Sequence, residues 1–189
     1  MERKSLKLQP NELDIIAYHE AGHALTGHFL KTPDPVLKIS IIPRGKGLGY
    51  TQYKLSDRYL HSKDYIFDQI CVLLGGRVAE MLKYGENFTS GAADDIQKVN
   101  QMAYSYVAKL GMSDSIGPIA YATSSPFENR FSDSMMSKID TEVSSLVQKA
   151  LGVTRKILEA NVGLLDKVAK ELRAKEVLKF DEFLSLVKQ

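Results

Sequence analysis

One stretch decides the fold: residues 11–30, which run NELDIIAYHEAGHALTGHFL. Its apolar and polar positions predict a helix from Asn11 to about Leu30, because side chains three and four residues apart share a helix face. Asn11 suits the helix cap, and Glu12 and Asp14 suit the positive end of the helix dipole in the first turn. The sequence Pro33-Asp34-Pro35 ends the helix.

This helix contains the pentad His19-Glu20-Ala21-Gly22-His23. Histidines four residues apart stand on one face of a helix, close enough to share a metal ion. A catalytic zinc ion takes few protein ligands and keeps a position for water, and Glu20 is placed to accept a proton from that water. The pentad therefore predicts a zinc peptidase, with His19 and His23 as ligands and Glu20 as the general base.

The rest of the chain predicts a mainly α fold (α+β). Residues 36–42 and 48–54 are extended patterns separated by a Gly-rich connection, which indicates a β-hairpin. Helices are predicted at about 62–84, 91–110, 133–161, 162–175 and 180–188, with an irregular loop at 112–132. We expect a helical zinc-metallopeptidase domain with a small hairpin or sheet and a C-terminal helical bundle. Residues 1–132 form its zinc-binding catalytic part and residues 133–189 its C-terminal helical part.

Two features inside these helices carry packing predictions. Gly75-Gly76 lies within the second helix, and each glycine costs about 1 kcal/mol of helix propensity, so something must pack closely there. After residue 132, the stripe of Ile139, Val143, Leu146, Val147 and Ala150 offers no chemistry. It indicates core packing, with contact to another subunit as the alternative.

Composition limits the function. The 189 residues suit one domain, and the net charge of +2 shows none of the basic excess that nucleic-acid binding needs. Cys71, the single cysteine, cannot form an intrachain disulfide and lies in an apolar run, which favours a buried hydrophobe. No apolar stretch approaches the roughly 18 residues of a membrane span, and neither a signal-peptide core nor a phosphate-binding P-loop motif is present.

A third metal ligand must lie outside the pentad. His28 is nine positions from His19 on the same helix and points away, and His61 precedes a helix at an exposed position. Carboxylates are the better pool, namely Glu80 on the second helix and Asp94 and Asp95 at the start of the third.

Helical spacing separates these acids. Asp94 shares its face with polar residues and is expected to be solvated, whereas Asp95 shares a face with Val99, Met102 and Tyr106. A carboxylate directed toward a core needs a partner, and a dication is a strong one. Asp95 is therefore favoured as the third ligand. Glu80 remains the alternative third ligand. Its competing role is to accept a hydrogen bond from one of the metal-binding histidines, or to form a salt bridge with a nearby Arg or Lys.

Several segments together resemble the peptidase domain of the FtsH family of membrane-bound AAA proteases. They are AYHEAGHA at 17–24, SIIPRG at 40–45, LGY at 48–50, GGRVAE at 75–80, TSGAADDI at 89–96 and LGM at 110–112. The sequence GKGLGYTQY at 45–53, followed by Tyr59-Leu60, looks closest to the mitochondrial m-AAA branch, the paraplegin and Afg3-like proteins. The resemblance implies that Asp95 is the third zinc ligand, in agreement with the helical-face argument.

The resemblance also implies a larger context. Family members join this domain to a membrane anchor and an ATPase module that uses ATP, and they form rings, expected to be hexamers, that degrade unfolded or membrane-associated polypeptides. The branch implies the mitochondrial inner membrane for the parent protein. This chain carries neither the anchor nor the ATPase, so we expect an excised, soluble peptidase domain that reaches a membrane only through other parts of its parent. Members of this branch usually have acidic residues at both of the positions that Glu80 and Met81 occupy, so the second acid is absent from this chain.

The strand at 48–54 is the candidate edge of the substrate cleft, with Gly49, Tyr50 and Thr51 as candidate substrate-binding residues. An extended substrate could add to this strand by main-chain hydrogen bonds, which give weak sequence selectivity. The alternative for this strand is a covered structural hairpin.

Two other functions compete with that of an active subunit. One is a peptidase-silent ring-assembly or regulatory subunit, and the other is a stand-alone zinc peptidase. Substitution of His19, Glu20, His23 or Asp95 would favour the silent subunit, and all four residues are present.

Overall fold

A computed structural model describes residues 8–44, 47–54, 59–121 and 131–188. Within these ranges the chain forms six α-helices and a three-stranded antiparallel sheet, which confirms the predicted mainly α fold class. The helices are α1 Pro10–Phe29, α2 Lys63–Tyr84, α3 Ala93–Tyr104, α4 Asp133–Ala160, α5 Val162–Lys175 and α6 Phe180–Val187. The strands are β1 Val36–Ser40, β2 Tyr50–Tyr53 and β3 Val177–Lys179.

Helix α1 begins one residue earlier than predicted. Pro10 is its first residue, Gln9 is the cap, and the Gln9 backbone N–H donates to the Glu12 carboxylate at 2.7 Å. The prediction that Asn11 caps the helix is wrong. Proline lacks the N–H that the first turn leaves unpaired anyway, and its fixed φ suits the first helical position, so the start moves to Pro10.

The predicted third helix is divided into three segments. A 3₁₀ turn at Ser90–Ala92 precedes α3, and a π-helical turn at Ser105–Lys109 follows it. Gly111 then adopts φ +60°, a left-handed conformation that favours glycine after a helix. Residues 112–121 are irregular, as predicted, and residues 122–130 of the predicted loop lie outside the described part of the chain.

The predicted hairpin is confirmed, with shorter strands. β1 is the central strand, and it pairs antiparallel with β2 on one side and β3 on the other. Ile39 stands opposite Thr51 of β2 and Leu178 of β3. The sequence did not predict β3, because three residues between two helices carry no detectable alternation. β3 brings the C-terminal part of the chain into the same sheet, while the functional division at residue 132 stays a prediction.

Helix α1 is the buried centre of the domain: every residue from Ile16 to Gly27 is buried. It packs against α2, α5 and β1. The buried residues around α1 form one hydrophobic core, and a second core lies between α2, α3 and α4. In this second core Ile139 and Ala150 are buried, and the other residues of the predicted α4 stripe are partly buried against it. The core-packing prediction for that stripe is therefore confirmed, and Cys71 is buried in the same cluster.

Glycines allow α1 and α2 to approach backbone to backbone. A Cβ atom on Gly22 would lie 2.3 Å from the carbonyl oxygen of Gly75, and one on Gly75 would lie 2.6 Å from the carbonyl oxygen of Gly22. Such distances are far inside van der Waals contact. The close packing predicted at Gly75-Gly76 is thus confirmed: Gly75 packs against Gly22, and Gly76 packs against the ring of His19.

Replacing Gly22 with alanine should therefore push the two helices apart. We expect Gly22→Ala to lower the free energy of unfolding by about 1–3 kcal/mol, as overpacking of a tight core does. Gly152→Ala is the matched control, because Gly152 lies within α4 and, apart from its own stretch of helix backbone, no atom of the described residues lies within 4 Å of the added Cβ. It should stabilise the protein by up to about 1 kcal/mol through helix propensity. Equal stability of the two variants in urea unfolding would contradict this packing account.

Candidate metal centre

The two histidines of the pentad and Asp95 direct one atom each at a common point. The Nε2 atoms of His19 and His23 lie 3.0 Å apart. Asp95, in the first turn of α3, places Oδ2 at 3.1 Å from Nε2 of His19 and 3.2 Å from Nε2 of His23. Both imidazoles are buried, and the Asp95 side chain is 16% exposed. The structure thus brings together the three residues that the sequence proposes as ligands.

The outer nitrogens of both rings are held by acceptors. The Nδ1 atom of His23 lies 2.8 Å from the Val72 carbonyl oxygen, which can only accept, so His23 carries its proton on Nδ1. The Nδ1 atom of His19 lies 2.8 Å from Oε1 of Glu80 and donates to that carboxylate. When the rings are neutral, both Nε2 atoms are therefore bare lone pairs.

This donor set fits a metal ion. Two imidazole lone pairs and a carboxylate oxygen within 3.2 Å of one another repel unless a cation neutralises them. His19, His23 and Asp95 each offer one ligand atom, and these atoms lie close enough together to bind a single ion. Two histidines and one carboxylate are also the ligand set of a well-known class of catalytic zinc sites.

The structure distinguishes the competing acids. Glu80 faces Nδ1 of His19, on the opposite side of the ring from Asp95, and its side chain is completely buried. Its second oxygen, Oε2, accepts from the backbone N–H and the hydroxyl of Thr89 at 2.8 and 2.9 Å. Because its oxygens are taken by these donors, Glu80 is placed to orient His19 rather than to bind the ion. Asp94 is exposed, as predicted.

The other two histidines lie outside this group. His28 packs edge-on against Phe29 and Phe183, and burial lowers its pKa. His61 is exposed and stacks on the Tyr65 ring at a centroid distance of 4.6 Å. Neither reaches the ligand cluster found among the described residues.

Glu20 is positioned by strand β2. Its side chain is buried, and Oε2 accepts a hydrogen bond of 2.7 Å from the Thr51 hydroxyl. On the other side, a Cβ atom on Gly49 would come within 2.9 Å of Oε1, so the absence of a side chain there leaves room for the carboxylate. The sequence proposes Gly49 and Thr51 as substrate-binding residues. It did not predict their contacts with Glu20, which join positions 29 and 31 residues apart.

A cleft of about 720 Å³ opens over these groups. His19, Glu20, His23 and Asp95 form its floor, and residues 47–51 form one wall. Tyr50 lies in this wall, with the ammonium of Lys38 5.5 Å from the centre of its ring. In the described part of the chain β2 pairs with β1 alone, and its residues Tyr50, Thr51 and Tyr53 line the cleft. The candidate general base and the candidate substrate strand therefore share one cleft.

Sequence comparison agrees with this geometry. A sequence profile of Peptidase family M41 matches residues 6–186. The chain belongs to peptidase family M41. This match, together with the FtsH and m-AAA relatives described next, confirms the predicted FtsH-family resemblance.

Named relatives of this M41 domain include mitochondrial and bacterial proteins. The mouse mitochondrial inner membrane m-AAA protease component AFG3L1 is 42% identical over 99% of this chain and 24% of its own length. The component yta12 of Schizosaccharomyces pombe is 44% identical over 96% of this chain and 24% of its length. The ATP-dependent zinc metalloprotease FtsH 1 of Salinibacter ruber is 39% identical over 99% of this chain and 28% of its length.

The M41 domain thus spans about a quarter of the length of these relatives. Among the described helices, none is both long and apolar enough to cross a bilayer.

The charges around His19 control its protonation in the M41 site. Burial lowers the pKa of His19, but hydrogen bonds to Asp95 and Glu80 outweigh burial and raise it to about 9. The same contacts act in the opposite sense on Asp95: burial raises the pKa of its carboxyl, and the hydrogen bonds to His19 and His23 bring it well below its usual range. In the absence of metal, a proton on His19 is thus the cation that these carboxylates attract.

This pKa predicts how the stability of the EDTA-treated protein depends on pH. His19 titrates near pH 9 when folded and near its ordinary 6.5 when unfolded. Its stabilising contribution is complete below pH 6.5 and is lost as pH rises to 9. We expect the free energy of unfolding to fall by about 3 kcal/mol over this window, since one pKa unit is worth about 1.4 kcal/mol.

Urea unfolding at several pH values measures this loss of stability. Asp95→Asn is the control, because it removes the carboxylate that raises the pKa of His19 and should flatten the pH dependence. A constant or rising stability of the unsubstituted protein between these pH values would contradict the assignment of the charges.

Proposed function

We propose that this domain is a zinc-dependent endopeptidase that cleaves unfolded polypeptides. One observation carries the proposal: the lone pairs of His19, His23 and Asp95 converge within 3.2 Å of one another, in a cleft that also holds Glu20. Membership of a peptidase family supports it, and so do relatives named ATP-dependent zinc metalloproteases.

His19, His23 and Asp95 would hold the zinc ion. Zinc at this position would supply a Lewis acid that lowers the pKa of water toward about 7 and polarises the scissile carbonyl. Glu20 would accept the proton of the attacking water and return it to the leaving amine. The Thr51 hydroxyl holds Oε2 of Glu20 at 2.7 Å and keeps the carboxylate aimed into the cleft. Val72 and Glu80 fix the tautomers that leave both Nε2 atoms free to bind the ion.

Strand β2 would bind the substrate main chain. Its paired edge contacts β1, and its other edge borders the cleft near Glu20. A peptide added along this edge would form backbone hydrogen bonds at Gly49, Tyr50 and Thr51, which do not depend on the substrate's side chains. Such binding requires an extended chain, and this requirement favours unfolded polypeptides over folded proteins.

The larger assembly is also part of the proposal. We propose that the domain acts within a longer protein whose ATPase module uses ATP to deliver substrates, in a hexameric ring at the mitochondrial inner membrane. Support comes from relatives named mitochondrial inner membrane m-AAA protease components, which match 96–99% of this chain. A peptidase-silent subunit is the weaker alternative, because His19, Glu20, His23 and Asp95 are all present and lie together.

Metal content and peptidase activity test the proposal together. The unsubstituted domain should bind about one zinc per chain and cleave an unfolded peptide, but leave a stably folded protein intact. Glu20→Gln should keep the zinc and lose roughly 100- to 10,000-fold in activity, the range of general-base catalysis. Asp95→Ala should lose zinc, whereas Asp94→Ala, a change at the exposed neighbouring acid, should retain it.

Two results would reject this mechanism. Full activity of Glu20→Gln would show that Glu20 is not the general base. Zinc retained by Asp95→Ala would show that Asp95 is not the third ligand. A zinc-loaded domain that leaves every unfolded peptide intact would instead support the silent-subunit alternative.

Binding along β2 predicts an effect of backbone methylation in the substrate. In an added strand, alternate N–H groups point toward β2 and the others point away. N-methylation at one set of alternate positions near the scissile bond should therefore raise KM at least about tenfold, which corresponds to about 1.4 kcal/mol for one lost hydrogen bond. Methylation at the intervening positions is the matched control and should change KM little. Equal KM values for both series would exclude strand addition.

A further inference from the structure

Thr89 makes three hydrogen bonds where α2 meets the segment leading to α3. Its backbone N–H and its hydroxyl both donate to Oε2 of Glu80, at 2.8 and 2.9 Å. Its hydroxyl oxygen also accepts from the backbone N–H of Gly91 at 3.1 Å, which caps the 3₁₀ turn before α3. One side chain thus joins a buried carboxylate on α2 to the start of the helix that carries Asp95.

The other oxygen of Glu80 continues this chain of contacts to His19. Oε1 lies 2.8 Å from Nδ1 of the imidazole, and the Glu80 side chain is completely buried. We call Thr89, Glu80 and His19 the relay. A buried carboxylate must keep its donors, because leaving it short of hydrogen bonds costs free energy that water cannot repay. Without the Thr89 hydroxyl, Oε2 would keep only one of these two donors.

The ring of His19 cannot compensate for movement of Glu80 by shifting toward α2. It lies directly over Gly76, where an added Cβ would come within 2.4–2.6 Å of the ring atoms. The ring is therefore confined by the α2 backbone on one side and oriented by Glu80 through Nδ1. Displacement of the Glu80 carboxylate would rotate the ring and misdirect Nε2.

A second contact holds the same segment to α2. The guanidinium of Arg77 lies over the ring of Phe88, 4.3 Å from its centre. Arg77 and Glu80 stand one helical turn apart and bind the adjacent residues Phe88 and Thr89. The segment from Phe88 to Gly91 is therefore fixed on α2 immediately before the first turn of α3. This arrangement sets the position of Asp95 relative to the histidines.

We propose that Thr89 is a positioning residue of the metal centre, which acts through Glu80 to align His19 and through the capped turn to place Asp95. This inference rests on the proposed function, since it assumes that His19 and Asp95 hold zinc. Thr89 borders the cleft but does not bind the ion in this account. Its effect is on how tightly the site binds metal.

Competition with a chromogenic chelator measures the zinc affinity of each variant. Thr89→Val keeps the shape and the backbone N–H but loses the hydroxyl, and we expect zinc binding to weaken by about 10- to 100-fold, as for other residues that orient metal ligands. Thr89→Ser restores a hydroxyl and should bind zinc within about threefold of the unsubstituted protein. Thr141→Val is the matched control, because among the described residues the Thr141 hydroxyl donates within α4, to the Ser137 carbonyl, far from the relay in sequence.

A double substitution tests whether Thr89 acts through Glu80. In a Glu80→Gln background the relay is already altered, so Thr89→Val should change zinc affinity by less than about threefold. The same loss in both backgrounds would show that Thr89 acts independently of Glu80 and would overturn the relay. Urea unfolding of each EDTA-treated variant separates lost alignment from lost folding. If Thr89→Val does not fold, Thr89→Ala removes the same hydroxyl without a branched side chain.

The outcomes distinguish this inference from the proposed function. Tight zinc binding by both the unsubstituted protein and Thr89→Val would overturn the role of Thr89 and leave the proposed function standing. Absence of zinc binding by the unsubstituted protein would overturn both.

Discussion

The backbone contact between α1 and α2 is the constraint on which the site depends. Gly22 and Gly75 allow the two helices to meet closely enough that a single methyl group on either would overlap the other backbone. At this separation the His19 ring lies over Gly76, and the Val72 carbonyl on α2 reaches Nδ1 of His23. A helix pair held farther apart would leave both histidines without the acceptors that set their tautomers. The glycines therefore lower the helix propensity of α1 and α2, but they allow the close contact that gives the candidate metal site its geometry.

The site also requires that both ring nitrogens of each buried imidazole have a polar partner. Glu80 and Val72 lie behind the rings, and Asp95 lies in front with the candidate ion site. The front, where the lone pairs meet, is open to the cleft. The wall formed by residues 47–51 contributes to the same arrangement, since Thr51 and Gly49 position Glu20 on the cleft floor. In the proposed mechanism the small sheet therefore has a chemical role in addition to its structural one.

Much of this arrangement was predictable from local sequence, and the remainder depends on contacts between distant residues. The pentad predicted the helical pair of ligands, the face shared by Asp95 and Val99 predicted an inward carboxylate, and the paired glycines predicted a close approach. Each of these signals arises within a few residues of chain. By contrast, Thr51 reaches Glu20 across 31 positions, and Thr89 reaches Glu80 only because the turn after α2 folds back on that helix. β3 forms because it pairs with the edge of β1, and a pattern of three residues cannot predict such pairing between distant parts of the chain.

The central claim is that His19, His23 and Asp95 bind one zinc ion. Diffraction data collected on both sides of the zinc absorption edge, from crystals of the zinc-loaded domain, test it most directly. We predict one strong anomalous peak per chain, about 2.0–2.2 Å from Nε2 of His19, Nε2 of His23 and a carboxylate oxygen of Asp95. A peak bound by Glu80 in place of Asp95, or no peak between the two histidines at full zinc loading, would contradict the account.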